Sequence, residues 1–370
     1  MAKTSFVPSP AKIKVMGLGG GGCNAITRMA RAGVHGVELI GVNTDAQALL
    51  LTEAPTRIQI GEKLTRGLGA GGDHIMGFKA AEQNRDELRE CIAGADMLFI
   101  TAGMGGGTGT GAAPVVADLT KDGSTLTIAV VTKPFSFEGT HRSKVAEEGI
   151  AQLLNKVDTL IIIPNDRLLS MCDHKTAVDN AFKMADEVLM RAVQAIAEVI
   201  TMPGMINLDF ADVKAVMKGA GPAWMSIGTG SGKNRAVDAA NAALASPLLD
   251  VSVEGARGVL FNVTGGSSLT LFEVNEAAQV IGKAVDPDAN IIFGVVLDPK
   301  MEDEVKITLI ATGFVGATGP RIHKDEELRR LLEGTDAEHE LDVPTFLRRR
   351  QPMKAPIPER HDLRIKSPVR

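Results

Sequence analysis

The fold of this 370-residue chain is decided by the stretch Gly105-Gly-Gly-Thr-Gly-Thr-Gly111. It follows an apolar run that ends near Ala102, and it precedes a helical pattern with Pro114 in its first turn. A glycine loop between a strand and a helix lets backbone N–H groups approach a phosphate without interference from side chains. The stretch therefore predicts a phosphate-binding loop in an α/β protein.

Two further glycine clusters occupy comparable places in the sequence. The stretch Gly17-Leu-Gly-Gly-Gly-Gly22 follows an apolar run and opens a helical pattern, and Gly67-Leu-Gly-Ala-Gly-Gly72 precedes another. The first cluster fits the G-x-G-x-x-G pattern, which dinucleotide-binding folds use, and Asp45 lies near the spacing of their ribose-binding acid. A nicotinamide-dependent oxidoreductase therefore remains an alternative on this loop alone. Three converging glycine loops suit a triphosphate better than a pyrophosphate.

Apolar runs typical of strands alternate with helical patterns around these loops. The predicted strands are Ile13–Met16, Glu38–Val42, Asp96–Thr101, Thr125–Val131 and Thr159–Ile163. The predicted helices are Asn24–Ala32, Asp73–Ala93, Ala112–Lys121 and Arg142–Lys156. This alternation predicts a parallel sheet with helices on both faces, and a ligand site at the carboxyl ends of its strands.

A long helical pattern over Ala177–Thr201 ends at the breaker Pro203-Gly204 and separates the two halves of the chain. At about 1.5 Å per residue it spans roughly 40 Å, which is enough to connect two domains. Beyond it the predicted strands are Trp224–Thr229, Gly258–Thr264, Asn290–Leu297 and Val305–Ala311, and the predicted helices are Ala236–Ala245 and Leu271–Ala284. This half is expected to form a smaller α+β domain with a four-stranded sheet.

Composition excludes several classes of protein. Apolar residues make up 44% of the chain and charged residues 23%, as in soluble globular proteins, so a disordered, collagen-like or coiled-coil chain is not expected. No apolar run approaches the roughly 18 residues that a membrane span needs, and the N-terminus lacks a signal-peptide pattern. The three cysteines and seven histidines show no metal-ligand spacing. We expect a cytoplasmic protein with reduced thiols and no metal site of its own.

The tail of the chain differs from its body in charge. Residues 348–370 contain eight basic and two acidic side chains, so this segment carries a net +6 while the rest of the chain carries −11. A basic tail on an acidic body is expected to meet an acidic partner. The expected organisation is an arm at 1–11, a nucleotide-binding domain at 12–176, a connecting helix at 177–203, an α+β domain at 204–316, a linker at 317–340, an apolar-then-basic peptide at 341–350 and a disordered extension at 351–370.

The stretch 105–111 is the signature loop of the tubulin-like GTPases, and the chain resembles their FtsZ family, the GTPases of bacterial cell division. The other matching segments are GLGGGGCNA (17–25), NTDAQAL (43–49), GLGAGG (67–72), VTKPFSFEG (131–139) and NLDFADV (207–213). The resemblance runs in order through residues 12–316 and returns at 341–350. It implies an α/β fold of the tubulin/FtsZ type, with a parallel sheet, a long central helix and a smaller α+β C-terminal domain. It also implies GTP hydrolysis, with GTP and GDP as ligands and Mg²⁺ held through the phosphates.

The resemblance assigns a nucleotide site to matching positions. The residues that it implies around the phosphates and the guanine are Gly20, Gly21, Gly22, Cys23, Asn24, Asn43 and Asp45. The residues that it implies as the phosphate cradle are Gly107, Thr108 and Gly109, with the γ-phosphate contact at Ala70 and Gly71. Glu138 resembles the ribose ligand with Arg142 nearby, and Asn165 and Phe182 resemble the base-contacting and base-stacking residues.

Asp186 resembles the residue that recognises guanine. An acidic acceptor suits this base because guanine N1–H and N2–H₂ are both donors, whereas adenine presents a different pattern. Glu187 follows directly in the sequence, and the pattern alone leaves open which of the two contacts the base.

A second acidic pair is the candidate for catalysis. Phosphoryl transfer needs positioning, a magnesium ion and an oriented water. Asp209 and Asp212 are three residues apart and share a face at the start of a predicted helix, where they also suit capping. In this family the loop resembles an element that acts in trans. The resemblance thus implies that Asp209 and Asp212, with Asn207, position the attacking water on the GTP of the next subunit.

The resemblance also implies partners and a cellular role. The chain is expected to polymerise with itself head to tail into filaments of a division ring at midcell. The peptide 341–350, with Phe346 and Leu347 as apolar anchors, resembles the tail that family members present to membrane-anchoring proteins, here through Asp342–Arg350. Segment 351–370 is expected to contact anionic lipids, acidic neighbours in the filament or nucleic acid, with no specific nucleic-acid target. The alternatives are a tubulin-like filament that segregates DNA and a nucleotide-binding scaffold without hydrolysis, which the acidic pair disfavours.

Overall fold

The structure, a computed structural model, describes residues 11–121, 123–170, 177–201, 209–249 and 252–314. The strands in these ranges are β1 (Ile13–Leu18), β2 (Val37–Asn43), β3 (Thr56–Gln59), β4 (Met97–Gly103), β5 (Leu126–Lys133), β6 (Thr159–Pro164), β7 (Gly221–Ser231), β8 (Gly258–Gly265), β9 (Asn290–Leu297) and β10 (Glu304–Thr312). The helices are α1 (Gly19–Ala32), α2 (Ala46–Leu50), α3 (Glu62–Thr65), α4 (His74–Gln83), α5 (Arg85–Ile92), α6 (Gly107–Asp118), α7 (Thr140–Leu154), α8 (Asn165–Leu169), α9 (Val178–Thr201), α10 (Phe210–Met217), α11 (Arg235–Leu244) and α12 (Leu271–Ala284). Single-turn 3₁₀ helices lie at Ser136–Glu138 and Pro299–Met301.

The strands form one sheet in the order β3-β2-β1-β4-β5-β6-β7-β10-β8-β9. From β3 to β7 every neighbouring pair is parallel, as predicted, whereas β10 runs antiparallel to both β7 and β8. The predicted strands of the second half are present as β7 to β10. They are continuous with the first sheet because the start of β7 pairs with the start of β6, where Gly221 lies opposite Thr159.

Two apolar cores cover the two faces of the parallel part of the sheet. Phe99 and Ile100 are neighbours in β4, and their side chains belong to opposite cores. One core includes residues of α1, α9 and α10, and the other includes residues of α4 to α7. Burial on both faces explains why β4 and β5 are almost uninterrupted apolar runs.

The long helix α9 confirms the predicted Ala177–Thr201 to within one residue. Its 24 residues correspond to a length of about 36 Å. Leu189, Val193 and Ile196 lie on its buried face, and the helix contacts α1 and β5 as well as β8 and β9. It therefore packs against both halves of the described sheet. No helix in the ranges that the structure describes is both long and apolar enough to cross a membrane.

Several predicted boundaries were wrong. The predicted helix Asp73–Ala93 is two helices, because Asn84 leaves helical geometry (φ −106°, ψ 24°) and its side chain binds the backbone N–H of Gly61 and the carboxylate of Glu87. Helices α1 and α6 begin five residues earlier than predicted, since each glycine loop is itself the first helical turn. The short elements β3, α2 and α3 were not predicted.

Candidate functional site

A cavity of about 570 Å³ opens where the parallel strands end. Its walls come from the segments that follow β1, β2, β4, β5 and β6, from residues 68–72, and from one face of α9. The volume lies within the range of roughly 300–1,000 Å³ that is usual for small-molecule sites. The predicted nucleotide-binding residues that line it are Gly20, Gly21, Asn24, Asn43, Asp45, Ala70, Gly71, Gly107, Thr108, Gly109, Glu138, Arg142, Asn165, Phe182 and Asp186.

Two predicted residues lie elsewhere. Gly22 faces the sheet, where an added Cβ would lie 2.5 Å from the backbone oxygen of Thr101. Cys23 is buried, its Sγ lies 3.6 Å from the backbone oxygen of Val42, and burial raises the pKa of its thiol. Neither residue belongs to the cavity lining, so the Cys23 side chain does not face the ligand space, and a contact through the backbone of either residue stays a prediction. They pack α1 against the sheet from behind the loop.

Two helix N-termini point into this cavity without caps of their own. Helix α1 begins at Gly19 and α6 at Gly107, and the preceding residues Leu18 and Gly106 provide no side-chain hydrogen bond. Neither helix has an acidic residue in its first turn. The first N–H groups of a helix lack intrahelical partners, and the helix dipole favours an anion there. The arrangement suits an anion, and phosphate groups in particular.

The glycines around the cavity fall into two groups. An added Cβ at Gly20, Gly71 or Gly106 would meet no other atom within 4 Å, so these positions leave the ligand space open. At Gly107 the Cβ would lie 2.8 Å from that of Ala70, so this glycine is needed for close packing of the two loops. The open positions form a cradle that side chains would fill, which fits a bound polyphosphate.

Buried threonines connect the loops of the cradle. The hydroxyls of Thr44 and Thr108 lie 2.6 Å apart and join the segment after β2 to the start of α6. Thr44 was not predicted, although it stands between Asn43 and Asp45. Asp45 itself caps α2, because one carboxylate oxygen accepts hydrogen bonds from the N–H groups of the next turn. The cavity lining also contains Leu68, Gly69, Gly72 and Gly106, from the two glycine stretches that were predicted to bind phosphate, and Thr132, which was not predicted.

The other end of the cavity is lined by apolar and hydrogen-bonding groups. The ring of Phe182 is 40% exposed and packs edge-on against Phe135, with a centroid distance of 5.3 Å. Glu138 pairs with Arg142 and also accepts a hydrogen bond from the N–H of Phe135. The side-chain oxygen of Asn165 is buried and has no hydrogen-bond partner among the described residues. A half-exposed ring and an unsatisfied amide oxygen fit a ligand with a flat base and polar N–H groups.

The structure distinguishes between the two neighbouring acids on α9. Asp186 lines the cavity, whereas Glu187 does not and pairs with Arg191, one turn along the helix. Burial raises the pKa of Asp186 to about 6, and the guanidinium of Arg28, with Nε 3.4 Å from Asp186 Oδ2, acts in the opposite direction. Asp186 is therefore the acid placed to meet a ligand base.

The predicted catalytic pair is not in the cavity. Asp209 caps α10, where its Oδ1 accepts a hydrogen bond from the N–H of Asp212, and both residues are exposed. Helix α10 packs at the starts of the strands, since Lys214 binds the backbone oxygen of Ser124, just before β5, and Thr159 at the start of β6 binds that of Met217. The cavity lies at the strand ends. Asn207 lies outside the described residues.

Comparisons with known proteins agree with this fold. Residues 12–173 match the GTPase domain of the Tubulin/FtsZ family, and residues 221–315 match the C-terminal domain of the FtsZ family. An FtsZ dimer from M. jannaschii is 48% identical with a TM-score of 0.80, and the match covers 82% of this chain and 89% of that one.

Two more distant structures share the fold. GDP-bound CetZ1 from Haloferax volcanii is 20% identical with a TM-score of 0.72, and the match covers 88% of this chain and 100% of that one. A GTPγS-bound protofilament of CetZ2 is 19% identical with a TM-score of 0.70, over 87% of this chain and 98% of that one. At these identities the likeness concerns the fold alone. By the family matches over both halves and the 48% identity, this chain belongs to the FtsZ family of tubulin-like GTPases.

Proposed function

We propose that this GTPase polymerises head to tail into filaments and that each active site is completed by the neighbouring subunit. In this proposal the residues that line the cavity bind GTP, and Asp209 and Asp212 act on the GTP of the next molecule. The solved FtsZ relative is a dimer, and the solved CetZ2 relative is a protofilament. Both support self-association of this chain.

The observation that carries the proposal is the separation of the two halves of the site. The cavity lies at the carboxyl ends of β1 to β6, and α10 packs beside the amino ends of β5 and β6. A strand of six residues is roughly 20 Å long. Asp209 and Asp212 therefore cannot reach a γ-phosphate in the cavity of their own chain.

The exposed carboxylates suit a role at a junction between subunits. Asp212 makes no side-chain hydrogen bond within the described residues, and it lies in the first turn of α10. A carboxylate can accept hydrogen bonds from a water and orient it for in-line attack. Mg²⁺ held through the phosphates would neutralise the charge that develops on them. Both carboxylates then belong to one subunit and both phosphate loops to the other.

Such a contact joins two different surfaces of the same molecule. A heterologous contact that does not close into a ring of subunits continues as a filament. The γ-phosphate lies between the subunits in this arrangement, near Ala70 and Gly71 of the binding chain. Its release after hydrolysis removes a junction contact, so GTP turnover weakens the filament.

We place these filaments at the midcell face of the membrane, as a division ring. The segments that would connect them to it, Asp342–Arg350 and the basic extension 351–370, lie outside the described residues. Their apolar-basic pattern supports a membrane-anchoring partner for the first and an anionic surface for the second. A filament that segregates DNA is the alternative, and the tail peptide favours division.

Two inactive variants test the shared site when they are mixed. Gly20→Leu fills the cradle and leaves α10 intact, and Asp212→Ala keeps the cavity and loses the proposed catalytic carboxylate. Each is expected to be inactive alone. In a mixture, the Asp212 of the first variant can act on the GTP bound by the second, so phosphate release should return. A mixture that stays as inactive as its components would contradict the shared site, as would full activity of Asp212→Ala alone.

A further inference from the structure

Arg28 contacts the carboxylate of Asp186 from outside the cavity. Arg28 belongs to α1, which begins in the first glycine loop, and Asp186 belongs to α9. Arg28 Nε lies 3.4 Å from Asp186 Oδ2, and the two side chains are 32% and 14% exposed. Asp186 lines the cavity and Arg28 does not. The ion pair thus connects the phosphate-loop helix to the opposite end of the site.

The carboxylate still has capacity for a ligand. Oδ2 of Asp186 is bound to Arg28, and Oδ1 has no hydrogen-bond partner among the described residues. Each carboxylate oxygen carries two lone pairs, so the pair with Arg28 does not use up the acceptor capacity. The Watson–Crick edge of guanine presents two adjacent donors, N1–H and N2–H₂. A fixed carboxylate is the complementary acceptor, and its orientation decides whether both donors are satisfied.

Other charged groups on the surrounding helices have partners of their own. On α9, Lys183 pairs with Asp179, and Glu187 pairs with Arg191. On α1, Arg31 pairs with Glu53. Helix α8 carries Asp166 and Arg167, and Asp166 accepts hydrogen bonds from Ser136. The cavity contributes Asp45, Glu138 and Arg142. Within the described part of the chain, Arg28 alone of these groups acts on the pKa of Asp186.

We propose that Arg28 is a positioning residue for base recognition, which holds Asp186 Oδ2 so that the carboxylate faces the two donors of guanine. The inference rests on the proposed role of Asp186 as the guanine-recognising residue. Without the guanidinium, the carboxylate is free to rotate about its side-chain bonds. It also loses its counter-charge in a buried place, where a proton is taken up readily. A protonated carboxyl would place its O–H donor opposite a guanine N–H donor, and two donors form no hydrogen bond with each other.

The experiment measures the dissociation constant of GDP between pH 5.5 and 8.5, which avoids turnover. Because the pKa of Asp186 is about 6, the parent chain is expected to lose affinity below that pH. An opposite charge at this distance lowers a carboxyl pKa by about one unit or more, so Arg28→Met should move the midpoint upward by that amount. At pH 7 its affinity should fall roughly twofold for a midpoint that moves by one unit and roughly tenfold for one that moves by two. Titration of GDP itself is the same for every variant.

Matched variants separate this effect from a general loss of structure. Arg28→Lys keeps a cation and should restore the parental midpoint. Arg31→Met removes an arginine from the same helix, whose partner is the exposed Glu53, and should leave the midpoint unchanged. Arg28→Gln is a second neutral variant if Arg28→Met folds poorly by circular dichroism. A parental midpoint and affinity in the folded neutral variant would overturn the inference.

Asp186→Asn distinguishes failure of this inference from failure of the proposed site. If Asp186→Asn binds GDP as tightly as the parent over the whole pH range, Asp186 does not recognise the base, and the role of Arg28 falls with it. If Asp186→Asn is impaired and retains only the pH dependence of GDP itself, while Arg28→Met behaves as the parent, the base site stands and only the positioning role is overturned.

Discussion

Asp209 accepts a hydrogen bond from the backbone N–H of Asp212, with an oxygen–nitrogen distance of 2.8 Å. This contact caps α10, which lies at the starts of the strands, whereas the nucleotide cavity lies at their ends. The same residue therefore has a visible structural role and a proposed catalytic one. A serine in its place can accept the same capping hydrogen bond but carries no charge.

Substitution of Asp209 should separate these two roles. Asp209→Ala removes the cap and is expected to cost about 1 kcal/mol in the free energy of unfolding. Asp209→Ser should keep most of that stability and still lose GTP hydrolysis at least tenfold, because only the carboxylate can orient the water. Denaturant unfolding and phosphate release on the same samples measure the two effects. Near-parental hydrolysis by Asp209→Ser would limit this residue to capping.

Two glycines of one loop should respond in opposite ways. Gly20 faces open space, so Gly20→Leu should abolish GTP binding and leave the melting temperature nearly unchanged. Gly22 packs against Thr101, so even Gly22→Ala should destabilise the fold, by about 1–3 kcal/mol, because backbone atoms must move. Calorimetric titration with GTP and thermal unfolding distinguish the two outcomes. Undiminished GTP binding by Gly20→Leu would remove the first glycine loop from the site.

The buried acid Asp186 should reduce the stability of the nucleotide-free chain at neutral pH. Burial raises its pKa from 3.8 to about 6 in the folded state, so the folded chain binds this proton more tightly than the unfolded chain does. Stability from this group is therefore full below about pH 4 and is lost as the pH rises through 6. Asp186→Asn should gain stability at pH 7, by about 3 kcal/mol at most. A stability difference between variant and parent that is constant from pH 4 to 7.5 would contradict this.

The ion pair of Arg235 and Glu273 should give the opposite dependence of folding stability on pH. The Arg235 guanidinium, nearly buried between α11 and α12, lowers the pKa of Glu273 from 4.5 to about 2. The stability that this ion pair gives to the fold is fully present above pH 4.5 and is lost as the pH falls through 2. Glu273→Gln should cost about 3 kcal/mol, because the buried guanidinium is then left with only the exposed carboxylate of Asp303, 3.9 Å away. GTP binding should be unaffected. The exposed pair of Arg31 and Glu53 provides the control, since Glu53→Gln should leave stability unchanged.

The sequence was most informative where one local pattern decides the structure. The glycine stretch 105–111 could be assigned to a strand–helix loop because glycine is needed wherever backbone approaches a ligand or another backbone. The period of α9 was also clear, since its buried face repeats over 24 residues. Most of the predicted cavity residues came from the family resemblance, and they do line one cavity.

Features that depend on contacts between distant segments could not be predicted in this way. The break at Asn84 depends on its bond to Gly61, 23 residues earlier. The inward direction of the Cys23 side chain depends on how α1 lies against β2, whereas the resemblance implied a place beside the ligand. The contact of Arg28 with Asp186 joins residues 158 positions apart. No local pattern contains that information.

The most direct test of the account is the rate of phosphate release from GTP per molecule, measured over a series of protein concentrations. If the active site is completed between subunits, the specific rate should be near zero at low concentration and rise steeply above a threshold. Asp86→Ala, a change to an exposed acid on α5, should follow the parent curve. The specific rate of Asp212→Ala should stay near zero at every concentration. A specific rate that is the same at every concentration would mean hydrolysis within one subunit and would contradict the account.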